Sequence, residues 1–565
     1  MSSAIDTYTN HRRSLSPLSI VAIGLPLLGA CTVVSLHVGL RIGLAIVPSA
    51  AIGVIGWFAI LAACFQRRTK ATHPAKASVA GEILIVVVLL ALSLLLWDRA
   101  ADRSILWPHA WGVDQAHHAA LTTFISDTDS PPRIAPQLGG MSGYPSGSHE
   151  LAAAIGRVSS LNPFSATWVT GLLSGFLELW AIAWLAVTLS KRAGILGAVV
   201  SCGLWLVGWR IGIGIVTESF FLAQSVAILF GTVGVGLVAK ARAGSRRWYV
   251  PVIVFTVASL FTYPQSAILI PGALLATALP SIRRRLRQAP PWLVSGVGFL
   301  CVAFVVFAYQ WASSSIGFRS ALQGVGEGGL NTLGVSSVGG PAIALVLTIG
   351  SASVVRRSWH EPHMRALVGA IMAPLIVAAV FLLLRRSGFP IVMYRIYKNG
   401  QTVFPLLCVA GGLGVAHYTS RILWSDCANV RRPMLVMNGL LALSTIATLL
   451  YVARPTRLGP GFVALMDRDA YDLARKSATV IAPDNIALAG DGLSAYTLWW
   501  AGLGRTASYE WKPMIPRMTL FESWPTGRPE QYMLVDSTAR AKYENKPGVV
   551  VVASKGGAAL LKRES

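Results

Sequence analysis

Runs of roughly 17–25 apolar residues, the length needed to cross a hydrocarbon layer, recur along most of the chain. They lie at 17–39, 42–65, 80–97, 166–189, 194–216, 219–239, 249–263, 265–280, 291–311, 339–355, 366–384, 401–418 and 434–453. A helix that is apolar all round must be covered by other helices or by lipid, and no soluble core accommodates so many. The predicted fold is therefore a polytopic α-helical membrane protein with about 13 transmembrane helices between residues 17 and 453. Only 13% of the 565 residues are charged, against about 25% in soluble proteins, which excludes an ordinary cytosolic enzyme and a disordered chain. The runs 249–263 and 265–280 are separated only by Tyr263-Pro264-Gln265 and read either as two full crossings or as one broken, re-entrant pair.

The net charge of +24 sits in short clusters between apolar runs rather than on one polar face, so it speaks of topology and not of nucleic acid. With Arg12 and Arg13 in a cytoplasmic N-terminus, 1–16, every second connection is basic. These hold Arg67/Arg68/Lys70/Lys76, Lys191/Arg192, Lys240/Arg242/Arg246/Arg247, Arg283/Arg284/Arg285/Arg287, Arg356/Arg357/Arg365 and Arg421/Arg431/Arg432. That alternation predicts a multi-pass plasma-membrane protein without a cleavable signal, whose long loop 98–165 and C-terminal segment 454–565 both lie outside.

The six cysteines fall within predicted spans or, for Cys427, on the cytoplasmic side. No disulfide framework or cysteine-based metal site is expected. The tail changes character: β-type runs at 479–482 and 486–489, a helix near 494–503, and strands at 532–535 and 549–552 predict a small extracytoplasmic α/β domain. It carries no phosphate loop or dinucleotide fingerprint. Its aromatics Tyr496, Trp499, Trp500, Tyr509, Trp511 and Trp524 suit either a domain core or stacking against sugar rings.

The outer loop 98–165 is too long for a plain connector. It contains Gly112-Val113-Asp114-Gln115-Ala116-His117-His118, followed by apolar Ala120, Leu121, Phe124 and Ile125. This pattern predicts a helix lying along the membrane surface, with Asp114, His117 and His118 one turn apart at its start. A Pro/Gly-rich passage then leads to Tyr144-Pro145-Ser146-Gly147-Ser148-His149-Glu150. A carboxylate, three histidines and a second carboxylate are the parts of a general-base or metal site. They also suit an N-cap followed by solvated interfacial residues.

These features together resemble the integral-membrane glycosyltransferases of the GT-C superfamily: a multi-span body, a long outer loop with an Asp near its start, a later basic outer segment and an outer C-terminal domain. The resemblance extends to the actinobacterial type that takes arabinofuranosyl or mannosyl units from polyprenyl-phosphate donors, and to relatives with a Tyr-Pro-x-Gly-x-His element, here Tyr144 to His149. In that family the acidic loop follows the first span; here it follows the third, which two extra N-terminal spans would account for.

The resemblance implies sugar transfer from a polyprenyl-phosphate donor to a cell-envelope glycan or glycolipid. Asp114 becomes the candidate base. His117, His118, Tyr144, His149 and Glu150 become candidate substrate-binding residues, with a divalent metal ion admitted but not demanded. Cations for the phosphate are offered by Arg385, Arg386, Arg395 and Lys398, beside Tyr394, in an outer segment that breaks the positive-inside pattern. Anchoring to lipid headgroups is the alternative for that segment. Glu178 lies inside a predicted span, where a carboxylate is costly. It is either functional, as in a transporter or flippase for a lipid-linked or polar solute, or paired with Arg210; Glu218 near Arg210 is a further acidic candidate.

Overall fold

The computed structural model describes residues 17–65, 83, 85–94, 113–132, 138, 144–190, 194–207, 222–242, 246–288, 339–358, 361–385, 392–423, 468–481, 486–489, 531–535 and 537–564. The predicted spans 291–311 and 434–453, the helix near 494–503, the tail aromatics, Arg210, Glu218 and Arg386 lie outside them.

The bundle is built from α1 (Pro17–Arg41, with a π-turn at Ile20–Gly24), α2 (Ile46–Phe65) and α3 (Ile85–Leu94). After α4 (Val113–Thr128) and α5 (Gly147–Ser159) come α6 (Pro163–Leu189), α7 (Gly194–Val207), α8 (Leu222–Arg242), α9 (Tyr249–Thr262) and α10 (Leu269–Gln288). It closes with α11 (Gly339–Ser358), α12 (Pro362–Arg385) and α13 (Val392–Leu423). Five of these are long and apolar enough to cross a membrane, within Pro17–Arg41, Ile46–Cys64, Pro163–Leu189, Leu222–Ala241 and Lys398–Thr419. α6 shows how sequence sets such a helix. Asn162 caps it by accepting the Ser165 N–H at 2.8 Å, Pro163 occupies its first turn, and 27 residues give about 40 Å of length.

α8 is wholly buried at the centre, whereas α2 turns Ile52, Ile55 and Phe58 outward. An exposed apolar face of that kind suits lipid. Where helices pass closely they do so on small residues. Gly272 of α10 faces Gly369 of α12, and Gly350 of α11 faces Gly411 and Gly414 of α13, the packing expected where lipid supplies no hydrophobic drive. The pair around Tyr263–Gln265 resolves into two helices with different partners, α9 beside α1 and α10 beside α12, both flanking α8.

The two ends of the bundle differ. One gathers Lys240 over the rings of Trp184 and Trp248, Arg247 beside Cys64, and an Arg357–Glu361–His363 chain. The other carries α4, α5 and the C-terminal elements. α4 does not lie half-exposed along a surface: residues 117–123 are buried without a break, because α5 and α6 cover one side and the C-terminal elements another.

Those elements are α14 (Arg468–Val480), β1 (Ile486–Ala489), β2 (Tyr532–Val535), α15 (Ser537–Tyr543), β3 (Val549–Lys555) and β4 (Ala558–Arg563). The sheet order is β1-β2-β4-β3, with β1 and β2 parallel and the other neighbours antiparallel. α14 covers one face through Tyr471, Leu473 and Ala474, and this core continues into Ala119, Ala120 and Phe164 of the bundle. The β-type reading of 479–482 is corrected here, since Thr479 and Val480 end α14. Its buried Tyr471, Ala474 and Ser477 recur at helical spacing, and the β-branched pair comes only in the last turn, with Val480 exposed.

Candidate functional site

α4 and α5 run side by side in the same direction. His118 Nδ1 meets His149 Nε2 at 2.7 Å, and Arg157 donates to the Ser126 carbonyl at 2.5 Å, both across an offset of 31 residues. The two imidazoles stack with centroids 5.0 Å apart, and Tyr144 stands edge-on to both. His149 also faces the carbonyls of Pro145 and Ser146, and its Nδ1 lies 3.4 Å from Ser148 Oγ; which ring donates across the 2.7 Å contact is set by the tautomer of the pair.

Burial holds these rings neutral. It pushes His117 down to about 4 and His149 down to about 3, the latter against the opposing pull of Glu150 and the two carbonyls. His118 is held well below the usual range by burial, then by His149, His117 and the Lys398 ammonium.

Lys398 brings α13 into the cluster. Its predicted outer segment is helical from Val392 onward, and Lys398, Asn399, Gln401 and Thr402 are all buried. Gln224 at the start of α8 donates to the Lys398 carbonyl at 2.8 Å and to Thr402 Oγ1 at 3.3 Å, while Ser266 shares a 3.0 Å hydrogen bond with Thr402. The same end of the bundle thus presents two histidines, a lysine and a belt of amides and hydroxyls.

Glu150 sits in the first turn of α5. Fully buried, it accepts from Ser146 Oγ at 2.7 Å, lies 3.1 and 3.2 Å from His37 Nδ1 and 3.4 Å from Arg41. Burial alone would raise its pKa, but His37, Ser146 and Arg41 together hold the carboxyl below its usual range. His37 in turn stacks on Phe261 at 3.8 Å. Gly147 sits so close to α9 that an added Cβ would lie 2.9 Å from the Phe261 carbonyl. These contacts brace the first turn of α5, and hence His149, against α1 and α9.

Of the remaining sequence candidates, Asp114 lies in the first turn of α4, one turn before His117 and His118; its side chain is outside the described residues. The same holds for Arg385 at the end of α12 and for Tyr394 and Arg395 in the first turn of α13. Among the described residues no three His, Cys, Asp or Glu side chains are grouped to hold a metal ion, and His118 and His149 turn their facing nitrogens on each other.

Sequence reasoning missed His37, Arg41, Gln224, Ser266, Asn399, Gln401 and Thr402. The signal was a histidine and an amide-hydroxyl pair embedded at the edges of apolar runs, where each polar group needs a partner.

No family model matches the chain, and no curated protein matches it. Among solved structures, ArnT from Cupriavidus metallidurans bound to undecaprenyl phosphate is similar at 13% identity and a TM-score of 0.45, covering 84% of this chain and 97% of that one. The apo oligosaccharyltransferase of Archaeoglobus fulgidus is similar at 13% identity and a TM-score of 0.46, covering 81% of this chain and 70% of that one. Likenesses at this level do not assign the chain to a family.

Proposed function

We propose that this protein is an inverting glycosyltransferase of the GT-C type, moving a sugar from a polyprenyl-phosphate donor to a cell-envelope glycan or glycolipid at the outer face of the plasma membrane. The observation that carries this is the convergence of α4, α5 and α13, which gathers His118, His149 and Lys398 at one end of the bundle with Asp114 one turn away on α4. In the inverting step, the acceptor oxygen bonds to the anomeric carbon as the bond from that carbon to the donor phosphate breaks. Polyprenyl phosphate leaves with the electron pair, and the acceptor proton passes to the Asp114 carboxylate. Lys398, with Arg385, Arg386 and Arg395, would neutralise the departing phosphate. His118 and His149, being neutral, orient rather than carry charge. The gathering of basic residues at the opposite end supports an N-terminus inside and a C-terminal α/β domain, 454–565, outside.

The test is transfer of radiolabelled sugar from synthetic polyprenyl-phosphate donors in membranes carrying wild type, Asp114→Asn or Arg395→Ala, with folding checked by monodispersity in detergent. Asp114→Asn is expected to lose transfer by about 10²–10⁴-fold while remaining folded. Unchanged transfer would remove Asp114 as the base.

A second reading, a transporter or flippase, rests on Glu178. It is buried in α6, accepts from Thr232 Oγ1 at 2.7 Å, and its other oxygen has no partner among the described residues. Solute uptake abolished by Glu178→Gln, with no transfer from any donor by wild type, would favour it.

A further inference from the structure

Away from the histidine pair, the far ends of α4 and α5, the start of α6 and one side of α14 border an open cleft of about 530 Å³. Its wall includes Ser126, Arg157, Ser160, Asn162, Asp472 and Arg475. Ser126 and Arg157 each lie eight residues beyond the paired histidines on their helices, which places the cleft about 12 Å along the same two rods.

The charges in this wall are already balanced. Arg475 gives Asp127 two hydrogen bonds of 2.5 and 2.8 Å, Arg157 lies 3.7 Å from Asp129, and Asp472 accepts from Lys555 at 2.5 Å. An anion would need guanidinium forks not committed to carboxylates, so the wall does not suit one. It does offer donors and acceptors side by side: guanidinium N–H groups, a carboxylate, two serine hydroxyls and a primary amide. Groups that both donate and accept, as hydroxyls do, match that mixture, and Leu161 adds apolar surface for C–H faces. Among the described residues, only Asp129 (φ 48°) and Ser160 (φ 56°) are non-glycine residues at positive φ. One lines the cleft and the other pairs with its arginine, and such strain persists where the surroundings enforce it.

We propose that this cleft binds a neutral, hydroxyl-rich saccharide; its role as the acceptor site rests on the transferase reading above. One wall belongs to the bundle and the other to α14, so the C-terminal domain completes the site.

The experiment uses the full chain in detergent and titration calorimetry with four probes: polyprenyl phosphate, a neutral linear oligo-arabinofuranoside, a neutral linear oligomannoside and an oligouronic acid. Wild type is expected to bind at least one neutral oligosaccharide more tightly than the uronic acid. Ser126→Trp, which fills the cleft, should weaken that binding at least tenfold while polyprenyl phosphate binds as before. If Ser126→Trp loses monodispersity, Asp472→Ala takes the reading, with at least a threefold loss expected.

Binding of neither neutral oligosaccharide, tighter binding of the uronic acid, or unchanged affinity in the cleft variants would overturn the proposal. The two readings fail separately. Saccharide binding lost in Ser126→Trp, in a protein that transfers no sugar, would leave the cleft standing and sink the transferase; transfer without cleft-dependent binding would do the reverse.

Discussion

Glu150 and Glu178 are both buried, with 0% and 4% of their surface exposed, yet their surroundings have little in common. Glu150, on α5, is enclosed by His37, Arg41 and Ser146, drawn from α1 and the loop before α5. Glu178, deep in the bundle, receives one hydrogen bond from Thr232. A buried carboxylate ringed by a guanidinium, an imidazole and a hydroxyl organises its neighbours; one with a single hydroxyl donor has little to organise. The contrast marks the α4–α5 end as the region whose polar groups are engineered into position, and the difference can be tested by breaking each side.

The largest effect is expected from Glu150→Ala, which takes the shared acceptor from His37 and Ser146 and should cost about 3 kcal/mol, read as a lowered Tm in detergent by tryptophan fluorescence. Glu178→Gln keeps a partner for Thr232 and should stay within about 1 kcal/mol; a larger loss there than at Glu150 would reverse the comparison.

Acid should come next. A histidine held neutral by burial binds fewer protons folded than unfolded, so its contribution is complete above its ordinary value of 6.5 and is lost as pH falls from there towards the folded values of about 4 and 3. Tm should therefore fall between pH 7.5 and 5, and His149→Gln should shrink that fall. Glu150, held low, adds its own loss only below its ordinary 4.5.

Gly147→Ala forces α5 away from the Phe261 carbonyl and should cost about 1–3 kcal/mol. The smallest effect belongs to Arg475→Ala. Its pair with Asp127 is partly exposed and worth about 0.2–1 kcal/mol, measurable by a double-mutant cycle with Asp127→Ala and diminished by salt.

Much of the bundle was legible because apolar runs have one meaning at that length: α1, α2, α6 and α8 all fall on predicted spans. The helix carrying His117 and His118 was legible from its spacing, and the Tyr144–His149 element from its composition. What escaped was everything set by distance in the chain. The contact of Glu150 with His37 could not be read because the two lie 113 residues apart. Lys398 looked like part of an exposed loop because the helix of α13 begins before its apolar run does. β4 was missed because Ala558–Arg563 carries no β-branched residue, and its strand identity comes from pairing with β2 and β3.

The shared offset between α4 and α5 bears on how this protein can change over generations. Two parallel rods joined at both ends have a fixed phase. A residue inserted within either rod turns everything beyond it by about 100° and separates the histidine end from the Arg157 end. Relatives should therefore keep the eight-residue interval on each helix, a pattern by which descendants of the same site can be recognised even where the sequence has drifted beyond direct comparison.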